Sequence, residues 1–180
     1  MITELTRMWL TRSTKPFLFK KEYDQELPFS DCDGLGLYVH IPFCRSICSF
    51  CPYCKTLYSE EACSRYIDAL IREIHLAGSQ IPGKKIVTSL YFGGGTPALA
   101  ADRIKEIIDA IQEHFIITQG IGIELHPENI TPRTLHILKE AGITKLSIGI
   151  QSFQEKFQKL LGRTGADMDS LKAALSQVPF

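Results

Sequence analysis

Four alternations of a short apolar run with an amphipathic stretch predict a parallel α/β fold, a partial TIM-like (βα) barrel of about four units. The apolar runs lie at 37–41, 86–92, 121–125 and 144–150, each the length of a strand. Between them apolar residues recur at helical spacing. Glycine and proline punctuate the junctions. A closed eight-unit barrel needs ~250 residues. The 180 residues here are therefore expected to hold the first part of a larger barrel.

Residues 1–36 are polar and irregular, with Pro16, Pro28, Gly34 and Gly36, and read as an N-terminal arm or lid. Residues 37–180 read as the barrel portion. In the arm, Trp9 and Cys32 read as an anchor and a packed thiol. Pro42 ends strand one, since it donates no ladder bond. Ser59 caps a helix over 60–77, with Tyr66, Leu70, Ile74 and Ala77 on one face and Gly78 and Gly83 closing it. The second strand, 86–92, reads as buried on both faces. A helix over 102–115 follows, with the stripe Ile104, Ile107, Ile108, Ile111 and Phe115. Thr131 and Pro132 form a cap and first-turn pair for a helix that turns Leu135, Leu138 and Ala141 inward and stops at Gly142. Short helices are expected over 153–161 and 168–178.

Hydrophobic residues make up 44% of the chain, enough for a core. Twenty basic and twenty acidic residues cancel. That balance offers nothing to nucleic acid or to an anionic membrane. No apolar run approaches the ~20 residues of a bilayer span. The first residues lack an uninterrupted apolar stretch, so a cytoplasmic protein with reduced thiols is expected.

The chemistry is concentrated after strand one, where four of the six cysteines fall within Cys44 to Cys54. Cys44, Cys48 and Cys51 are spaced C-x3-C-x2-C, with Cys54 three residues on. Three thiolates can hold three irons of a 4Fe–4S cluster and leave one iron open, whereas electron-transfer clusters take four cysteines. The competing reading is a zinc knot of Cys44, Cys48, Cys51 and Cys54, although zinc sites usually come as two separated C-x-x-C pairs. The run Gly93-Gly94-Gly95-Thr96-Pro97 follows strand two. Glycine there lets backbone pass close to a ligand, and successive amides can form an anion nest. A tight strand-to-helix turn is the plainer reading. Glu124 sits at the end of strand three, where barrel strands present functional groups and where a charge needs a partner.

The segment from Tyr38 to Cys51 resembles the signature of radical S-adenosylmethionine (SAM) enzymes. The residues His40-Ile41-Pro42-Phe43 narrow the likeness to the oxygen-independent coproporphyrinogen III oxidase and haem chaperone family. YFGGGTP, IELHP, SIGIQSF and LLGR follow in order, so the likeness runs from Leu37 to Arg163. The resemblance implies that Cys44, Cys48 and Cys51 ligate a 4Fe–4S cluster. It implies that Tyr38, Phe50, Gly94, Gly95, Thr96, Glu124, Gln151 and Arg163 contact SAM. Without it, Tyr38 reads equally well as a core tyrosine, and Arg163 as a cation at a helix C-terminus.

The reaction so implied is reductive cleavage of SAM to a 5′-deoxyadenosyl radical that abstracts hydrogen from a small-molecule substrate, here a tetrapyrrole. A reduced donor such as flavodoxin or ferredoxin is implied as electron source. A haem-binding chaperone and an anaerobic haem-degrading methyltransferase are the alternatives. Two departures separate the chain from the oxidases. Their fourth cysteine falls where Tyr53 stands here, making Cys54 a bystander thiol, and His126-Pro127 replaces an acidic or amide residue before the proline. His126 reads first as a hydrogen-bonded loop histidine. Cys63 reads as a buried helix thiol.

Overall fold

In a computed structural model the structure describes residues 32–162 and 168–177, together with Thr6 and Phe180. Trp9 and Arg163 lie outside the described residues, as does the 1–36 arm apart from Thr6 and 32–36. The described elements run β1 (Gly34–Ile41), β2 (Phe43–Cys44), β3 (Thr56–Leu57), α1 (Glu60–Ser79), β4 (Lys85–Gly94), α2 (Ala101–His114), β5 (Phe115–Ile117), β6 (Ile121–Leu125), α3 (Pro132–Glu140), β7 (Ile143–Ile148), α4 (Glu155–Leu160) and α5 (Met168–Gln177). Two short 3-10 turns, Pro97–Ala100 and Pro127–Asn129, follow β4 and β6.

The sheet has the order β1-β4-β6-β7 and every pairing in it is parallel. β5 pairs with the start of β4 and β6 with its end, so the two share one side of that strand. Parallel neighbours need crossovers, which α1, α2 and α3 supply. These helices lie on one another in sequence, α1 on α2 and α2 on α3, with α5 against α3. The fold is the partial parallel barrel that the strand-helix alternation predicts.

Local chemistry explains the helix ends. The Ser59 hydroxyl accepts from the Ala62 amide (3.2 Å), and Glu60 and Glu61 occupy the first turn, where the helix dipole favours anions. Thr131 likewise accepts from the Thr134 amide, with Pro132 in the first turn. The predicted stripe Ile104, Ile107, Ile108, Ile111 and Phe115 is buried throughout, although Phe115 already opens β5; Leu135 and Leu138 of α3 and Ala141 at its C-cap are buried too.

Four expectations are corrected. β1 begins at Gly34, so the sheet takes in the last residues assigned to the arm. β4 is covered mainly on one face. Val87, Leu90 and Phe92 are buried under the helices, while Ile86, Thr88 and Ser89 are exposed. An apolar run marks depth but cannot distinguish a strand sandwiched on both sides from one facing an open barrel interior. α1 runs through Gly78 instead of stopping there, and its innermost residues are Cys63, Ile67 and Gly78, a stripe rotated from the predicted one. β7 ends at Ile148, two residues early.

Candidate functional site: a thiol-lined cavity at the carboxyl end of the sheet

The cysteine loop is held at both ends by a miniature ladder. Phe43 and Cys44 pair in parallel with Thr56 and Leu57. The Thr56 amide donates to the Pro42 carbonyl (2.8 Å) and the Tyr58 amide to the Cys44 carbonyl (2.9 Å). Residues 45–55 are thereby closed into a loop at the carboxyl end of β1. Lys55 ties it internally, its ammonium donating to the carbonyls of Cys51 and of Tyr53 (3.4 Å).

His40 joins this loop to the sheet. Its Nε2 lies 3.0 Å from the Cys54 carbonyl, which can only accept, so Nε2 carries the proton. Nδ1 is then free to accept from the Tyr38 hydroxyl at 3.2 Å. Tyr38 is 59% exposed on the open face of the sheet and stacks on Tyr91 at 6.5 Å. Burial of part of its ring and the nearby Glu124 carboxylate hold its phenol above the ordinary value, which keeps it a donor.

The glycine run packs against this assembly. Gly94 has φ +120°, a region that favours glycine. A Cβ on Gly95 would stand 2.5 Å from the Phe43 carbonyl oxygen. Protein backbone therefore already demands glycine here. The amides are also committed: Gly94 N–H to Glu124 Oε2 (3.3 Å), Gly95 N–H to the Ile41 carbonyl (2.9 Å) and Thr96 N–H to the Phe43 carbonyl (2.7 Å). The expected anion nest is not formed. The plainer reading, a tight turn, describes the segment, and the turn positions Thr96 against the thiols.

A cavity of about 420 Å³ opens beside these residues. Cys44, Cys48 and Cys51 line it together with Phe50, Gly94, Gly95, Thr96, Glu124 and Gln151. Tyr38 is not among its lining residues, although it is bonded to His40 beneath the loop. Burial pushes the Cys44 thiol up, and the neighbouring Cys51 and Cys48 add to this, while the Thr96 hydroxyl and Lys55 oppose it. Glu124 is braced by the Gly94 amide and by the Tyr91 hydroxyl (3.4 Å). Gln151 is the one described non-glycine residue with positive φ, +69°, and it lies just past the end of β7. Backbone strain of that kind tends to collect at binding sites.

Cys54 is exposed, and it is the carbonyl rather than the thiol that makes its bond to His40. His126 caps the 3-10 turn by accepting from the Glu128 amide (3.3 Å), the loop role expected of it, and it also reaches the cavity wall. Cys63 is buried. Sequence reasoning assigned no role to Tyr91 or Lys55. Tyr91 lies two residues before Gly93 and so faces the same side of β4, a signal available from strand alternation. Lys55 offered no signal, since only the closure of the loop brings it to the Cys51 carbonyl.

The donor set fits an iron–sulfur cluster. Three part-buried thiols face one cavity, with the Thr96 hydroxyl beside Cys44. It fits a single zinc ion poorly. Among the described residues, the only three ligand atoms within 4.8 Å of one another belong to His75, Glu113 and His114, away from the cysteines.

An open parallel sheet with a thiol-lined cavity at the carboxyl ends of its strands defines a cofactor-binding α/β barrel segment. The chain belongs to the radical SAM superfamily, whose family model matches residues 38–175. Members of that superfamily typically bind a 4Fe–4S cluster and SAM. The chain is 39% identical over 132 residues to anaerobilin synthase from Escherichia coli O157:H7, a match covering 71% of this chain and 30% of the relative. It is 33% identical over 135 residues to an oxygen-independent coproporphyrinogen III oxidase from Pseudomonas aeruginosa, covering 72% and 29%. The heme chaperone HemW of Bacillus subtilis is 30% identical over 136 residues, covering 73% and 36%. The solved structure of coproporphyrinogen III oxidase (HemN) from Escherichia coli superposes with a TM-score of 0.73 at 33% identity, covering 81% of this chain and 34% of that one. The chain thus spans about a third of the length of these relatives. Among the described residues no helix is long and apolar enough to cross a membrane.

Proposed function

We propose that this chain carries the cluster- and SAM-binding part of a cytoplasmic radical SAM enzyme of tetrapyrrole metabolism, resembling oxygen-independent coproporphyrinogen III oxidase. The supporting observation is the convergence of Cys44, Cys48, Cys51, Thr96, Glu124 and Gln151 on one cavity. Cys44, Cys48 and Cys51 hold the cluster. When bound, the cluster supplies the electron that cleaves SAM to the 5′-deoxyadenosyl radical. Glu124, already fixed by Gly94 and Tyr91, presents a carboxylate to the polar groups of SAM. Phe50 offers a ring to the adenine, and Gln151 closes the far wall. Tyr38 acts through His40 on the loop. Arg163 is assigned to SAM on the resemblance alone.

Relatives with three different names share 30–39% identity with this segment. Cofactor binding is the role assigned to the segment they share, with a tetrapyrrole as substrate and flavodoxin or ferredoxin as electron donor. The test is anaerobic reconstitution of the full chain followed by electron paramagnetic resonance of the reduced cluster. Addition of SAM is expected to change the signal, since SAM would bind in the same cavity as the cluster. An intact cluster whose signal ignores SAM would overturn the proposal.

A haem chaperone is the second reading, favoured by the match to HemW and by Tyr53 standing where the oxidases carry a fourth cysteine. It requires stable haem binding without substrate turnover, which an absorbance titration with haem decides.

A further inference from the structure

Away from the cysteine loop, His75 of α1 and His114 of α2 face each other across the helix layer. His75 Nδ1 lies 3.0 Å from His114 Nε2 and 3.7 Å from Glu113 Oε2. Ligand atoms of all three residues fall within 4.8 Å of one another. We propose that His75, Glu113 and His114 form a second metal site, for a zinc-class divalent transition ion, that clips α1 to α2.

The topology sets this site apart from the thiols. His75 lies in the closing turns of α1 and His114 ends α2, so both stand near the starts of β4 and β5. The cysteine loop follows the carboxyl end of β1. In a parallel sheet these are opposite ends of the barrel wall.

The packing is built to hold the imidazole. A Cβ on Gly78 would come within 2.2 Å of the His114 ring. A glycine inside a helix is destabilising relative to alanine. Here it lets the His114 ring lie directly on α1, where His75 can reach it. The ring planes meet at 73° with centroids 5.3 Å apart. That edge-on arrangement brings one nitrogen of each ring together instead of stacking the faces.

The spacing suits an ion. With Zn–N bonds of about 2.0–2.1 Å, two tetrahedral ligands stand about 3.3 Å apart, so small rotations from the observed distances suffice. Two imidazoles and one carboxylate are a recognised zinc donor set that leaves a fourth position for water. His75 is 41% and Glu113 65% exposed at the side chain, so the ion has an entry path. The site also sits at the end of α2, where the helix dipole favours a cation. The competing state is the hydrogen bond between the two imidazoles, which a metal would replace.

The test uses the full chain with its cluster reconstituted, titrated with Zn²⁺ and, separately, with Co²⁺. One zinc beyond the cluster iron is expected per chain, with a rise in melting temperature of about 5–10 °C at a hundredfold excess over Kd. His75→Gln and Glu113→Gln should each lose the rise while melting as the parent does in chelator. Co²⁺ should give weak ligand-field bands without thiolate charge transfer. No additional zinc, a rise that survives both substitutions, or intense thiolate-to-cobalt bands would overturn the site. Should a variant fail to fold, the cobalt spectrum of the parent still decides between imidazole and thiolate.

Discussion

The Glu124 carboxylate reaches across from β6 to accept the Gly94 amide of β4 at 3.3 Å. The bond joins the glycine turn to an acidic side chain that lines the cavity. It gives Glu124 two roles, a brace for the turn and a charge offered to a ligand.

Those roles separate in Glu124→Gln. The amide oxygen still accepts from Gly94 and the amide NH2 can donate to the Tyr91 hydroxyl, but the charge is lost. SAM affinity of the reconstituted chain is expected to fall tenfold to a hundredfold, about 1.4–2.7 kcal/mol, with little change in melting temperature. Equilibrium dialysis measures the first and calorimetry the second. Unchanged affinity would leave Glu124 as a brace alone.

Gly95→Ala tests the backbone approach. The new methyl would meet the Phe43 carbonyl oxygen at 2.5 Å and the Pro42 carbonyl carbon at 2.7 Å, neither able to swing aside. A loss of about 2–3 kcal/mol is expected from denaturant midpoints. Gly36→Ala is the control. Nothing lies within 4 Å of its Cβ position, and stability should hold or rise by up to about 1 kcal/mol.

The cysteines divide by location. Serine at Cys44, Cys48 or Cys51 should each abolish retention of a 4Fe–4S cluster. Serine at Cys54, an exposed thiol, should leave iron and sulfide content unchanged. Loss of the cluster on substituting Cys54 would bring back a four-cysteine site.

Cys63 carries a pH dependence. Burial raises its pKa, with Arg103 opposing. The unfolded thiol ionises near pH 8.5 while the folded one stays protonated, so in that window the native state binds more protons. Stability is therefore full below the ordinary thiol pKa and declines as pH rises through the folded value. Cys63→Ala should flatten the decline above about pH 8.5, read as melting temperature against pH. An unaltered alkaline slope would place the titration elsewhere.

Local chemistry made most of the scaffold legible. Ser59 and Thr131 announce their helices because a cap needs only a side-chain oxygen and an amide two or three residues on. The isoleucines of α2 announce their face because helical spacing is local too. Gly78 misled for the same reason. A glycine near a helix end reads as a stop, and only the approach of His114 from a helix thirty-six residues on shows that it is a contact.

The sequence by itself determined the parallel α/β class, the three cysteines at cluster spacing and the order of the motifs, since each is a pattern of near neighbours along the chain. Tertiary structure alone decided that the amides of Gly94, Gly95 and Thr96 bond to protein, that β4 faces an open interior, and that His75 meets His114. Each of these depends on which strands and helices become neighbours. That choice is set by burying the common core and leaves no local mark in the residues it brings together.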